Sequence, residues 1–141
     1  VLPKMLTKNW GRILFVSSEC ATLVPAALIA YSTTKAAVLA ASRGLAQLTS
    51  GTGVTVNAVL PGSTMTEGAA DFLADLATKE NKTIAQAESD FFSNVRTSSL
   101  LQRFATVEEV ANSMVYFSSP LASATNGAVI KLDGGSTGGI L

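Results

Sequence analysis

Arg12-Ile13-Leu14-Phe15-Val16 and Val54-Thr55-Val56-Asn57-Ala58-Val59 are the two stretches whose reading decides the fold. Each is a short run of β-type residues, and the first is apolar almost throughout. Such a run suits a strand buried on both faces, as in a parallel sheet. Between them, from about Tyr31 to Leu48, the pattern is helical and rich in alanine, and Gly51-Thr52-Gly53 breaks it. A third run, Ala128-Val129-Ile130-Lys131-Leu132, is closed by Asp133-Gly134-Gly135. Strands separated by helices predict an α/β protein of parallel βαβ units with right-handed crossovers.

The remaining segments fit around this frame. Residues 1–8 read as the end of a helix and Asn9-Trp10-Gly11 as a turn. Residues 17–25 read as a loop. Helices over 66–79 and 83–96 fill a long excursion, 63–105. Thr106, with Glu109 three residues on, forms a capping box for a helix running to about Ser118. The glycine-rich stretch 134–139 reads as a tail. The whole chain, 1–141, is expected to be part of one domain.

Composition narrows the function classes. The 141 residues carry no net charge, so nothing favours a polyanion such as nucleic acid. Apolar residues make up 48% and charged residues only 14%, against a usual charged share of about 25%. That predicts surface to be covered by a partner or by further sequence. There is no histidine, which removes Ser-His-Asp and Cys-His catalysis and the commonest metal ligand. No metal site is expected. Cys20 is alone, so no internal disulfide forms, and a reducing, cytoplasmic location is the expectation. No apolar run approaches the ~20 residues of a membrane helix, and no signal-peptide pattern opens the chain. The abrupt, helix-like start at Val1 suggests a fragment, or a numbering that begins inside a longer protein.

Three residues carry candidate chemistry. Tyr31 and Lys35 are four apart at the start of a helix, which puts both side chains on one face. A free phenol gives up its proton only near about pH 10. A neighbouring ammonium and a helix N-terminus both favour the phenolate, so such a pair makes a tuned acid/base for a hydroxyl proton. Ser18 lies thirteen residues before Tyr31, just after the first strand. Parallel α/β sheets place their sites at the carboxyl ends of strands, where a serine can hydrogen-bond a substrate carbonyl. The plain alternatives are an exposed helix face for the pair and a backbone-satisfying loop serine for Ser18.

Val16-Ser17-Ser18, Tyr31-Ser32-Thr33-Thr34-Lys35-Ala36 and Val56-Asn57-Ala58-Val59-Leu60-Pro61-Gly62 together resemble the short-chain dehydrogenase/reductase family. Arg103 to Ala111, and Thr125-Asn126-Gly127 through Gly135, resemble that family's closing segments, so the resemblance covers essentially the whole chain. It implies a Rossmann-type doubly wound parallel sheet of which this chain supplies strands 5, 6 and 7 of the usual seven, the C-terminal half. It implies NAD(P)-dependent interconversion of a carbonyl and an alcohol. Ser18 would hold the substrate, Tyr31 would be the acid/base, and Lys35 would bind the nicotinamide ribose and tune the tyrosine. Tyr31, Lys35, Pro61, Gly62, Thr64 and Thr66 would contact the cofactor. The excursion 63–105 would be the substrate loop, an apolar lid through Phe72, Leu73, Leu76, Phe91, Phe92, Leu100 and Leu101, about half of which are expected to be buried helix faces instead. The partners implied are a small carbonyl or alcohol substrate and further copies of the chain, as a dimer or tetramer. Ala36, Ala37, Ala40, Ala41 and Ala46 would serve close packing inside the chain or across that dimer.

Two elements of the family pattern are missing from these residues. The TGxxxGxG turn that lets backbone approach a pyrophosphate does not occur, and neither does the NNAG strand end. The residue that separates NAD from NADP therefore lies outside this sequence. A non-catalytic remnant or oligomerisation module without a functional cofactor site is the competing expectation. Ser32-Thr33-Thr34-Lys35 also matches SxxK, a serine–lysine hydrolase motif, but no companion SDN or KTG is present.

Overall fold

The computed structural model describes residues 1–139. Three parallel strands, β1 (Gly11–Val16), β2 (Val54–Pro61) and β3 (Val129–Leu132), lie in the order β1-β2-β3. The register sets Ile13 against Val56, Val16 against Val59, and Pro61 against Leu132. Among the described residues six α-helices accompany them: α1 (Leu2–Thr7), α2 (Cys20–Leu23), α3 (Ile29–Gln47), α4 (Glu67–Glu80), α5 (Ile84–Asn94) and α6 (Val107–Ser118). Among the described residues no helix is long and apolar enough to cross a membrane.

The middle strand is the core. Every residue from Val54 to Leu60 is buried. β1 departs from the expected two-sided burial: only Gly11 is buried, Arg12 to Phe15 are half-buried and Val16 is exposed. The physical reason is position, because β1 pairs only with β2 and so stands at a sheet edge among the described residues.

β2 runs on past the pairing it can find in β3, and two asparagines bridge the gap. Asn57, 1% exposed, donates to the Thr125 carbonyl at 2.8 Å and accepts from the Ala128 N–H at 3.0 Å. Asn126 accepts from the Val56 N–H at 2.8 Å and donates to Thr49 Oγ1 at 2.8 Å. These side chains replace ladder bonds where β3 has not yet begun, which keeps buried backbone groups satisfied.

Three segments differ from the sequence reading. The loop 17–25 contains the short helix α2, and a 3-10 turn at Ala26–Leu28 leads directly into α3. α3 therefore starts at Ile29, which places Tyr31 within its first turn. The stretch after β3 is no loose tail: the Asp133 carboxylate accepts from the N–H groups of Gly135 and Thr137, both at 3.0 Å, and from the Thr137 hydroxyl. Gly134 and Gly135 take φ of +61° and +80°, which only glycine adopts freely. Of the alanines on α3, only Ala46 is buried, while Ala36, Ala37, Ala40 and Ala41 are left uncovered by the chain itself.

The excursion builds a second core. Leu73 and Ala77 of α4 pack with Ala87 and Phe92 of α5 and with Phe104. Phe91 stacks on Phe104 with ring centroids 5.2 Å apart, and meets Phe72 and Phe92 edge-on. Thr66 caps α4, and a Thr83–Gln86 capping box starts α5. Lys82 joins Asp90 at 2.7 Å and Glu80 at 2.6 Å, across the α4–α5 turn. Of the apolar set, Leu73 and Phe92 are buried and Leu76 and Phe91 half-buried, whereas Phe72, Leu100 and Leu101 are exposed. The excursion closes on itself through paired backbone bonds, Met65 N–H to Ala105 O at 2.8 Å and Ala105 N–H to Ser63 O at 2.9 Å.

The capping box expected at α6 is present, with Thr106 Oγ1 accepting from the Glu109 N–H and Glu109 accepting from the Thr106 N–H. Arg103 grips the same carboxylate with two nitrogens, at 2.9 and 2.7 Å. The Arg103 hydrogen bonds, then the Thr106 N–H, lower the Glu109 pKa from 4.5 to about 2. A carboxylate depressed in the folded state adds stability that is present above its unfolded pKa and fades as pH falls from about 4.5 to about 2. Glu109→Gln is thus expected to lose little between pH 4.5 and 2 beyond what the parent loses from its other groups. Acid unfolding followed by circular dichroism should show the two curves converging toward pH 2.

Candidate active site

The site forms where α3 returns to the carboxyl end of β1. Ser17 ends the strand pairing, its N–H donating to the Val59 carbonyl at 2.9 Å. Its buried hydroxyl then donates to the Lys35 carbonyl at 2.8 Å. Lys35 answers in the other direction: its Nζ donates to the Val16 carbonyl at 3.3 Å. One turn earlier on the same helix face, the Tyr31 ring lies under that ammonium, 5.6 Å from centroid to Nζ. The Tyr31 side chain is substantially solvent-facing, the residue being 44% exposed. Its hydroxyl makes no hydrogen bond among the described residues. Ser18 follows Ser17, and its Oγ accepts from the Cys20 N–H at 3.2 Å, which leaves the hydroxyl proton available.

The other predicted contacts lie at the end of β2. Glu19 N–H donates to the Pro61 carbonyl at 3.0 Å, joining the Ser18 segment to the Pro61-Gly62 turn. Gly62 is pressed against the end of β3: a Cβ there would stand 2.6 Å from the Asp133 Cα and 2.9 Å from Glu19 Oε2. This close approach, on its own, requires glycine. Thr64 Oγ1 donates to the Gly62 carbonyl at 3.0 Å, and Thr66 is occupied in capping α4. Ser32, the serine of the SxxK match, is 1% exposed, so its hydroxyl is not presented to a substrate.

Sequence reasoning passed over three residues. Ser17 enters the sequence reading as a loop start and a member of the Val16-Ser17-Ser18 motif but with no role of its own, although a hydroxyl at a strand end is well placed to tie a helix. Glu19 and Arg96 form a buried ion pair at 2.9 Å, Nε to Oε1. An acidic residue amid Phe15, Val16, Cys20, Ala21 and Leu23 was the available signal for the first of them.

A nicotinamide ribose and a carbonyl or alcohol oxygen each require hydrogen-bond partners wherever they bind. Lys35 has one ammonium proton engaged, and Tyr31 and Ser18 each have an O–H without an acceptor among the described residues. These donors fit the ribose end of a nicotinamide nucleotide. No glycine-rich turn between a strand and a helix stands among the described residues to take the pyrophosphate.

A three-stranded parallel sheet with flanking helices is consistent with part of a Rossmann fold. Residues 1–137 match the family model described as enoyl-(acyl carrier protein) reductase, and the chain belongs to this family of short-chain dehydrogenases/reductases, NAD(P)-dependent oxidoreductases. It is 46% identical over 134 residues to the uncharacterized oxidoreductase YvrD of Bacillus subtilis (strain 168), covering 95% of this chain and 51% of that protein. It is 34% identical over 134 residues to the 3-oxoacyl-[acyl-carrier-protein] reductase FabG of Aquifex aeolicus, covering 95% and 48%. Among solved structures, the L-sorbose reductase of Gluconobacter frateurii, complexed with NADPH and L-sorbose, superposes with a TM-score of 0.86 at 25% identity, covering 99% of this chain and 52% of that one. The chain thus spans about half the length of the curated relatives it matches.

The tie between helix and strand should be measurable. Ser17→Ala removes one buried hydrogen bond and is expected to lower the unfolding free energy of the complete protein by about 1 kcal/mol. Urea denaturation checks this, with an unchanged slope expected because the folded surface is the same.

Proposed function

We propose that these residues are the catalytic, C-terminal half of an NAD(P)-dependent oxidoreductase that interconverts a carbonyl and an alcohol on a small molecule. β1, β2 and β3 correspond in this reading to strands 5, 6 and 7 of the seven-stranded family sheet. The observation that carries it is the mutual anchoring of Lys35 and the end of β1, two residues before Ser18, with the Tyr31 ring against the Lys35 ammonium.

The nicotinamide, when bound, supplies or accepts the hydride. Everything else falls to the chain. Ser18 donates its free proton to the substrate oxygen and orients it. Tyr31 gives that oxygen a proton in reduction and takes one from it in oxidation. The Lys35 ammonium and the positive end of α3 stabilise the negative charge that develops as a proton leaves the phenol oxygen. Lys35 also offers its remaining N–H groups to the ribose. Pro61, Gly62, Thr64 and Thr66 line the nicotinamide side, and the α4–α5 hairpin covers the substrate as a lid. The exposed alanines of α3 supply a face for a second copy of the chain.

A second reading applies to the 141 residues taken alone: a piece without a functional cofactor site that folds or associates but does not turn over. The three-stranded sheet and the half-length match to relatives favour it for the isolated chain. The two readings meet in one expectation, that activity requires a glycine-rich nucleotide-binding half.

In the complete protein, Tyr31→Phe is expected to reduce kcat by roughly 10²- to 10⁴-fold, the usual worth of a positioned acid/base. Nucleotide affinity, followed by NAD(P)H fluorescence, should stay near the parent value. Parent-level turnover in this variant contradicts the mechanism. The isolated chain should give no fluorescence change with NADH, and a saturable signal there would contradict the second reading.

A further inference from the structure

Glu19 occupies an unusual place for a carboxylate. It follows Ser18 directly and is 3% exposed. Its Oε1 accepts from Arg96 Nε at 2.9 Å, while Oε2 has no hydrogen-bond partner among the described residues and rests against Gly62. Its own N–H is bonded to the Pro61 carbonyl. One residue therefore touches the serine segment, the Pro61-Gly62 turn and the far end of the excursion.

Arg96 extends the connection into the lid. Its guanidinium lies 5.9 Å over the Phe91 ring, the ring that stacks on Phe104 in the hairpin core. Its Nη2 approaches Cys20 Sγ at 3.9 Å, and its N–H donates to the Phe91 carbonyl at 2.9 Å. Beyond it the chain is strapped to the end of β3: Ser98 Oγ donates to Ser136 O at 2.7 Å, and the N–H groups of Leu100 and Leu101 donate to Gly134 O at 2.8 and 3.0 Å. The hairpin packs mainly on itself and its ends are bridged at Thr64 and Ala105, so this strap and the Glu19–Arg96 pair are what tie it to the ends of the strands.

We propose that Glu19 is a positioning residue for the reaction, acting through Arg96: the buried ion pair latches the substrate loop in one register over Ser18, Tyr31 and Lys35. The proposal rests on the function proposed above. A buried ion pair contributes little net stability relative to apolar packing, but it fixes orientation, and here it joins the residue beside the substrate-holding serine to the aromatic core of the lid. Loosening the latch frees the substrate loop without moving the tyrosine–lysine pair, which is held from the other side by Ser17 and Val16.

The test uses the complete protein with Arg96→Met, Arg96→Lys and Glu19→Gln. Arg96→Met is expected to raise the substrate KM by about tenfold or more with a much smaller change in kcat, the pattern of lost ground-state positioning. The NAD(P)H dissociation constant should stay within about twofold, since the ribose partners are untouched. Limited proteolysis at Arg103 should quicken as the strap loosens, and Arg96→Lys should restore KM by keeping the charge. Should Arg96→Met fail to fold, the same readings on Glu19→Gln decide. Parent-level KM and proteolysis in the folded variants overturn the proposal, as does a nucleotide affinity that falls as far as substrate affinity. The Tyr31→Phe kinetics separate this outcome from a failure of the mechanism itself, because the proteolytic readout does not depend on turnover.

Discussion

Two hydrogen bonds running in opposite directions, Ser17 Oγ to the Lys35 carbonyl and Lys35 Nζ to the Val16 carbonyl, clamp the start of α3 to the end of β1. The rest of the site depends on that clamp. α3 starts only two residues before Tyr31, so without a fixed first turn the phenol would have no defined place relative to Ser18. The long ammonium side chain does two things at once: it satisfies an edge carbonyl of the strand and it lies over the Tyr31 ring. A structural bond and a chemical arrangement thus share one side chain, and this is why the lysine cannot be exchanged for a neutral residue of similar length without consequences for both.

The sheet supplies rigidity where the clamp needs it. β2 is buried along almost its whole length, and its Val56 N–H donates to the Asn126 side chain while Asn57 reaches to β3's approach. The carboxyl ends of β1, β2 and β3 are then drawn together by the Glu19 N–H to Pro61 bond and by the contact of Gly62 with Asp133. Loop positions can be precise when they are hung on strands in this way. The excursion is built on a different plan, with its own aromatic core and its own caps.

Much of this was legible in the sequence because it was written in local periodicity and caps. The three strands, the alanine-rich helix and the Thr106–Glu109 box appear within a residue or two of their expected places. The spacing of Tyr31 and Lys35 foretold a shared helix face. What could not be read was long-range: nothing local says that Arg96 returns to Glu19 across 77 positions, or that Asn57 and Asn126 stand in for missing ladder bonds. The half-burial of β1 also escaped, since an apolar run looks alike at the centre of a sheet and at its edge. The stretch 133–137 was misjudged for a related reason: glycine richness reads as looseness, whereas here positive φ lets the Asp133 carboxylate close a tight turn.

The central claim is spatial, that the phenol of Tyr31 and the ammonium of Lys35 act together on one bound molecule at the end of β1. A crystal structure of the complete protein with a nicotinamide nucleotide bound tests it most directly. The account predicts the nicotinamide ribose hydroxyls within hydrogen-bond reach, about 2.7–3.2 Å, of Lys35 Nζ and the Tyr31 hydroxyl. A nucleotide bound elsewhere, or a Lys35 turned to solvent with the Ser17 bond intact, would contradict it.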